Sequence, residues 1–139
     1  MEQKEASLAK QNPESTTGVA EVVTTWERER RERQSQLSAV RLKGEAALRR
    51  LLPVAQRDTG QSGVVARFLL NLYNGDRFPF DLTDLRRLDY ALFDDCMAVL
   101  RMDFQLIKEV HRYFDNGGAI WEAMAERFGF KDYAYERWR

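Results

Sequence analysis

The aromatic side chains of this chain are concentrated in one half of the sequence. Residues 1–67 contain a single aromatic, Trp26, whereas residues 68–139 contain the other 15. Aromatic side chains supply large buried areas and dominate cores and interfaces. We therefore expect residues 37–139 to form a packed helical domain. Residues 1–36 are predicted to be a flexible or partly helical N-terminal arm.

The apolar periodicity predicts helices and no sheet. Apolar side chains recur at intervals of three and four in residues 37–57, and the same spacing predicts further helices ending near Tyr73, beginning at Asp81 and covering about 119–128. No segment alternates with period two, and no heptad run is long enough to predict an extended coiled coil. The sequence predicts an all-α bundle of about five helices.

The longest predicted helix covers about residues 89–114 and is expected at the centre of the bundle. Two apolar stripes run along it, which is typical of a helix buried on more than one side. The first stripe comprises Phe93, Met97, Leu100, Phe104, Ile107, His111 and Phe114, and the second comprises Leu92, Val99, Leu106, Val110 and Tyr113. Asp81 is the expected N-cap of the preceding short helix, and Asp58 with Gln61 resembles a capping box.

The net charge of zero conceals two opposite poles. The chain has 22 basic and 22 acidic side chains, which excludes a uniformly basic nucleic-acid-binding protein. Residues 26–57 nevertheless carry a net charge of +5, and residues 81–103 contain six Asp against three Arg. These poles can steer a charged partner or pair two copies of the chain as a homodimer.

The sequence offers little catalytic chemistry. The single cysteine, Cys96, and the single histidine, His111, lie 15 positions apart on one predicted helix and do not face each other. That spacing argues against a metal site and against a Cys–His nucleophile pair. Acidic residues near helix starts are more often caps than metal ligands. We therefore expect a non-enzyme without metal or cofactor.

Protein binding is the favoured function, and DNA binding is the alternative. The aromatic and arginine residues of the C-terminal segment are the types enriched at interface hot spots, although these aromatics can equally close the core. The candidate protein-binding residues are Tyr133, Tyr135, Arg137, Trp138, Asp94 and Asp95. The candidate DNA-binding residues, in the basic segment 26–57, are Arg41, Lys43, Arg49 and Arg50.

Localisation is expected to be cytoplasmic. No window approaches the roughly 20 consecutive apolar residues of a membrane-spanning helix, so no membrane partner is expected. The charged start of the chain is not followed by the apolar region of a secretory signal. A lone cysteine also excludes a disulfide framework within the chain.

Several short sequence motifs, in a fixed order, resemble those of a known protein family over about residues 46–128. The motifs are DTGQS (58–62), FLL (68–70), FDLTDL (80–85), LD (88–89), DD (94–95) and YFDNG (113–117). They resemble an uncharacterised family of small proteins encoded on proteobacterial plasmids and integrative conjugative elements. The resemblance implies a mobile-element setting and transfers no functional residue.

The resemblance and the lack of catalytic residues together suggest a role. We expect a non-catalytic accessory protein of a mobile genetic element that binds a protein encoded by the host or by the element. The sharpest form of this hypothesis is a counter-defence inhibitor of a host immune complex.

Overall fold

The computed structural model describes the backbone of residues 2–129 and the side chains of residues 18–129. Four α-helices follow one another along the chain: α1 (Glu2–Ala55), α2 (Gly60–Tyr73), α3 (Tyr90–Phe104) and α4 (Gly117–Phe128). Two 3-10 helices, Leu82–Arg87 and Val110–Tyr113, flank α3, and residues 2–129 contain no strand. The all-α prediction is confirmed.

The chain divides into two units. The first unit, Met1–Ala39, contains the N-terminal part of α1, and the second, Val40–Arg139, contains the rest of α1 and all later elements. The predicted arm, residues 1–36, therefore lies within the first unit. Pro53 lies in the last turn of α1, close to the end that its missing backbone donor predicts.

Local capping signals explain where most helices begin and end. The Asp81 carboxylate accepts a hydrogen bond from the Thr83 backbone N–H at 3.1 Å, as predicted for the N-cap of the first 3-10 helix. The Asp89 carboxylate caps α3 in the same way at 2.8 Å. Gly129 ends α4 in a left-handed conformation with φ of 62°, which suits a residue without Cβ.

The predicted capping box at the start of α2 is wrong. Thr59, not Asp58, is the N-cap, and its hydroxyl accepts a hydrogen bond from the Ser62 backbone N–H at 3.1 Å. Gln61 instead accepts a hydrogen bond from the Asp89 backbone N–H at 2.7 Å. The Gln61 side chain, which the local pattern assigned to the cap, therefore binds a residue 28 positions away in the sequence.

The core of the second unit is centred on Trp121 of α4. Its side chain is fully buried, and the indole N–H donates a hydrogen bond to the Leu69 carbonyl of α2 at 3.0 Å. Buried side chains of α1, α2 and α3 complete the core, among them Leu48, Leu51, Val65, Leu69, Leu70, Cys96, Val99 and Met102. Because the buried indole donor is satisfied, Trp121 contributes its large apolar area without an unpaired polar group.

The predicted long central helix, residues 89–114, is wrong in its length. α3 ends at Phe104, and the chain turns before the second 3-10 helix. Leu106 adopts a left-handed conformation with φ of 47°, and its N–H bonds to the Asp103 carbonyl at 2.9 Å. This bond spans three residues, not four, so it closes the helix. No Gly or Pro marks the break in the sequence.

α1 and α3 pack closely at Gly44. A Cβ added to Gly44 would overlap the Met102 side chain and would approach the Ala98 carbonyl oxygen to 3.0 Å. Small residues at such crossings set how closely two helices approach.

Gly44→Ala is expected to destabilise the second unit by about 1–3 kcal/mol, because the added methyl must push α1 away from α3. Urea unfolding followed by circular dichroism measures this change. Gly63→Ala on α2 is the matched control, since nothing lies within 4 Å of its Cβ. The control is expected to be neutral or stabilising by up to about 1 kcal/mol. Equal free energies of unfolding for both variants would contradict the close packing.

Candidate functional site

α3 packs with one apolar face and leaves the other at the surface. Cys96, Val99 and Met102 face the core and are buried. The opposite stripe follows the 3-4-3-4 spacing and comprises Tyr90, Phe93, Met97, Leu100 and Phe104, which we call the α3 stripe. Tyr90 is 88% exposed and Phe104 is 85% exposed, while Phe93 and Met97 are half-buried.

The prediction that the first stripe of this helix is core is therefore wrong for Leu100, Phe104 and Ile107, which are exposed, whereas Met97 is partly buried against the core. The helix has apolar side chains on two sides, and only the face that meets the core is fully buried. Tyr90, which begins the exposed stripe, was absent from the predicted site residues. The sequence contained a signal that Tyr90 belongs to this stripe, since Tyr90 lies three positions before Phe93 in the same helical register.

An open cavity lies at the N-terminal end of the α3 stripe. Its volume is about 630 Å³, and leucines of the first 3-10 helix line it together with Tyr90 and Phe93. Leu82 on this helix is 73% exposed. Arg86 and Asp89 place one charge of each sign in the lining. A cavity with apolar walls and a few polar groups is suited to receive apolar side chains of another molecule.

A second open cavity lies at the C-terminal end of the α3 stripe. Its volume is about 370 Å³, and Val40 of α1 lines it together with Met97, Leu100 and Phe104. Fourteen residue steps separate Tyr90 from Phe104, so the stripe is about 21 Å long at 1.5 Å per residue. The two cavities and the stripe between them form one elongated apolar surface.

The acidic candidates Asp94 and Asp95 have different environments. Asp94 is exposed on α3. Asp95 accepts two hydrogen bonds from the Arg50 guanidinium, from Nε at 3.1 Å and from Nη2 at 2.8 Å. These hydrogen bonds raise the pKa of Arg50. A residue predicted for protein binding thus pairs with one predicted for DNA binding.

The basic candidates do not form one free patch. Arg49 donates a hydrogen bond to the Tyr113 carbonyl at 3.2 Å and lies over the Phe114 ring, 5.1 Å from its centroid. Arg50 is held by Asp95, whereas Arg41 and Lys43 are exposed. Two of the four predicted phosphate-binding side chains therefore take part in holding the fold together.

The four C-terminal candidates, Tyr133, Tyr135, Arg137 and Trp138, lie outside the described residues. Among the described residues, no group of three or more His, Cys, Asp or Glu side chains is placed to hold a metal ion. No helix within residues 2–129 combines the length and the hydropathy needed to cross a membrane.

The most polar cluster joins α2 to α4. Arg77, just after α2, donates hydrogen bonds to both Glu122 oxygens, at 2.7 and 2.8 Å, and the Tyr73 hydroxyl donates to Glu122 at 2.6 Å. These bonds lower the pKa of Glu122 to about 2 and raise that of Tyr73. The carboxylate is therefore held ionised and occupied, which suits a structural link better than a proton acceptor.

Cys96 is buried and His111 is half-buried, and both contact neighbouring side chains of the fold. The His111 ring meets the Tyr73 ring edge-on at 4.9 Å between centroids, and its Nδ1 is buried with no hydrogen-bond partner in the described part of the chain. Burial and the neighbouring Asp95 charge raise the pKa of the Cys96 thiol to about 12. A thiol with this pKa is not a nucleophile near neutral pH.

Comparison with known protein families places the chain in an uncharacterised family. The model of a family of unknown function (DUF7673) matches residues 45–129, a range that includes α2, α3, α4 and the cavity-lining 3-10 helix. This match confirms the resemblance to an uncharacterised family. No curated protein and no solved structure matches the chain.

The Glu122 link predicts a specific acid sensitivity. The pKa of Glu122 is about 2 in the folded chain and near its ordinary value of 4.5 in the unfolded chain. Because the folded pKa is depressed, the stabilisation is complete above pH 4.5 and is lost as the pH falls from 4.5 towards 2. The free energy of unfolding of Glu122→Gln should therefore be lower than that of wild type above pH 4.5. This difference between the two proteins should shrink as the pH falls below 4.5.

The urea unfolding midpoints of both proteins across this pH range measure the difference in stability. Glu126→Gln is the matched control, since Glu126 is exposed on the same helix. The same difference at every pH would show that the carboxylate does not contribute through its charge.

Proposed function

The chain belongs to a family of unknown function (DUF7673), and we propose that it is a non-catalytic protein-binding factor whose α3 stripe holds an amphipathic helix of a partner protein. The observation that carries the proposal is the exposure of Tyr90 and Phe104 at the two ends of one apolar stripe. Monomeric proteins rarely expose contiguous apolar patches of this kind outside binding sites.

The shape of the surface supports a helical partner. Amphipathic helices bind elongated apolar grooves through side chains spaced at three and four positions. The α3 stripe, about 21 Å long, matches roughly four turns of such a helix. The cavities of about 630 and 370 Å³ at its ends can each receive an apolar side chain.

The charges around the stripe support a partner of mixed charge. Arg86 and Asp89 line the first cavity, and Arg101 lines the second. Asp94 is exposed one turn after Tyr90. A partner helix with both acidic and basic side chains beside its apolar face complements this rim, whereas a uniformly charged one does not.

We propose that the protein is encoded by a mobile genetic element and acts in the cytoplasm. The sequence motifs shared with plasmid and conjugative-element reading frames support this setting. The partner is then a protein of the host or of the element, and inhibition of a host immune complex is the sharpest form of the proposal. A rigid, exposed helix face suits an inhibitor, because it binds without prior rearrangement.

DNA binding has less support than protein binding. Of the four basic candidates, Arg49 and Arg50 make contacts within the fold, which leaves Arg41 and Lys43 as exposed cations. A duplex-binding surface draws its affinity from several phosphate contacts at once.

Phe104→Glu is expected to weaken partner binding by about 2 kcal/mol or more, roughly thirtyfold in Kd, because it places a charge in the apolar contact. A partner captured from the native host is purified, its binding region is mapped with peptides, and Kd is measured by calorimetry. Thermal unfolding should be unchanged, since Phe104 is 85% exposed. Ala119→Glu, at an exposed position of α4, is the matched control.

Binding that maps to an amphipathic helix and is lost only with Phe104→Glu supports the proposal. Equal affinity for both variants contradicts it, as does a binding region without an amphipathic helix. Salt-dependent binding to random duplex DNA, abolished by replacing Arg41 and Lys43 with Ala, would establish the alternative instead.

A further inference from the structure

The described part of the first unit is a single helix that exposes apolar side chains. Val19, Val23 and Trp26 of α1 are 63%, 42% and 61% exposed. The unit Met1–Ala39 contains part of α1 and no other described element. A lone helix in water gains most of its stability by packing an apolar face against something else.

The side chains of this face are spaced as in a coiled-coil seam. From Val19 onward the steps along α1 alternate between four and three residues, as the a and d positions of a heptad do. The seam residues are Val19, Val23, Trp26, Arg30, Arg33 and Leu37. The seam is short, and two arginines interrupt its apolar character.

The two arginines decide between the possible arrangements of a helix pair. In a parallel pair of identical helices, Arg30 would face Arg30 and Arg33 would face Arg33, which places two layers of like charge in the seam. In an antiparallel pair each a layer meets a d layer of the other copy. Val19 then lies opposite Leu37, Val23 opposite Arg33, and Trp26 opposite Arg30.

We propose that residues 19–37 of α1 form a short antiparallel coiled coil with a second copy of this chain. The Trp26 ring offers its face to the Arg30 guanidinium of the second copy, which is a favourable cation–π pair. Leu37 and Val19 close both ends of the seam with an apolar layer. This dimer does not use the α3 stripe, so it stands or falls independently of the proposed function.

The charges beside the seam are mixed in the antiparallel register. Glu27 and Glu29 each face their own counterpart on the second copy, and the two Arg30 side chains lie within one turn of these carboxylates and offset their repulsion. Within the described residues, neither glutamate and neither seam arginine forms an ion pair of 4 Å or less. Residues 18–39 contain four Glu and four Arg, so the paired helices carry no net charge to drive them apart.

Sedimentation equilibrium of the full chain tests for the dimer. A reversible dimer is expected, and Trp26→Ala should raise its dissociation constant at least about tenfold, because it removes both apolar area and the cation–π contact. Ser35→Ala, on the side of α1 away from the seam, is the matched control and should leave the constant unchanged. Circular dichroism checks that all three proteins keep the same helical domain.

Cysteine cross-linking under mild oxidation tests the orientation. An equal mixture of Val19→Cys and Leu37→Cys chains should give a disulfide between position 19 and position 37, identified by peptide mass mapping. Val23→Cys alone should give none, because the two copies of position 23 lie about 15 Å apart in the antiparallel register, beyond the roughly 7 Å limit for a disulfide. The native Cys96 is buried and does not interfere.

Three results would overturn the proposal. One is a chain that is monomeric at every concentration. Another is a dimer that withstands Trp26→Ala but dissociates with Phe104→Glu, which would place the interface on the α3 stripe. The third is efficient cross-linking of Val23→Cys with itself, which would establish the parallel arrangement.

Discussion

The burial of Trp121 holds the second unit together. This one side chain connects α4 to the Leu69 carbonyl of α2, and its ring lies 5.7 Å from the Phe114 ring that follows the second 3-10 helix. The next residue of α4, Glu122, binds Tyr73, the last residue of α2, and Arg77, which follows this helix. An apolar anchor and an adjacent ionic link therefore fix α4 against α2 at successive positions.

The proposed binding surface follows from how α3 packs against the other helices. Gly44 lets α1 approach Met102 closely, and that contact commits one face of α3 to the core. Because α3 packs against the core on one side, its opposite side faces solvent. The α3 stripe exposes more apolar side chains than its packing requires, and this excess is the basis of the proposed binding role.

The sequence predicted what depends on neighbouring residues and missed what depends on distant ones. Asp81 was recognisable as a cap because a cap is satisfied within three residues. The end of α3 at Phe104 was not, because no Gly or Pro marks it in the sequence. The exposure of Phe104 could not be predicted either. When a helix carries two apolar stripes, its sequence does not show which stripe packs against the core. The pairing of Arg50 with Asp95 joins residues 45 positions apart, and charge counts gave only the two poles.

The thiol of Cys96 gives the core its own reporter. It is buried on the face of α3 that meets the rest of the domain, and its pKa of about 12 keeps it protonated. This sulfur can lose its proton to solvent and react with an alkylating reagent only when α3 separates from its neighbours. The rate at which the native protein is labelled therefore measures how often the core opens, without an introduced cysteine.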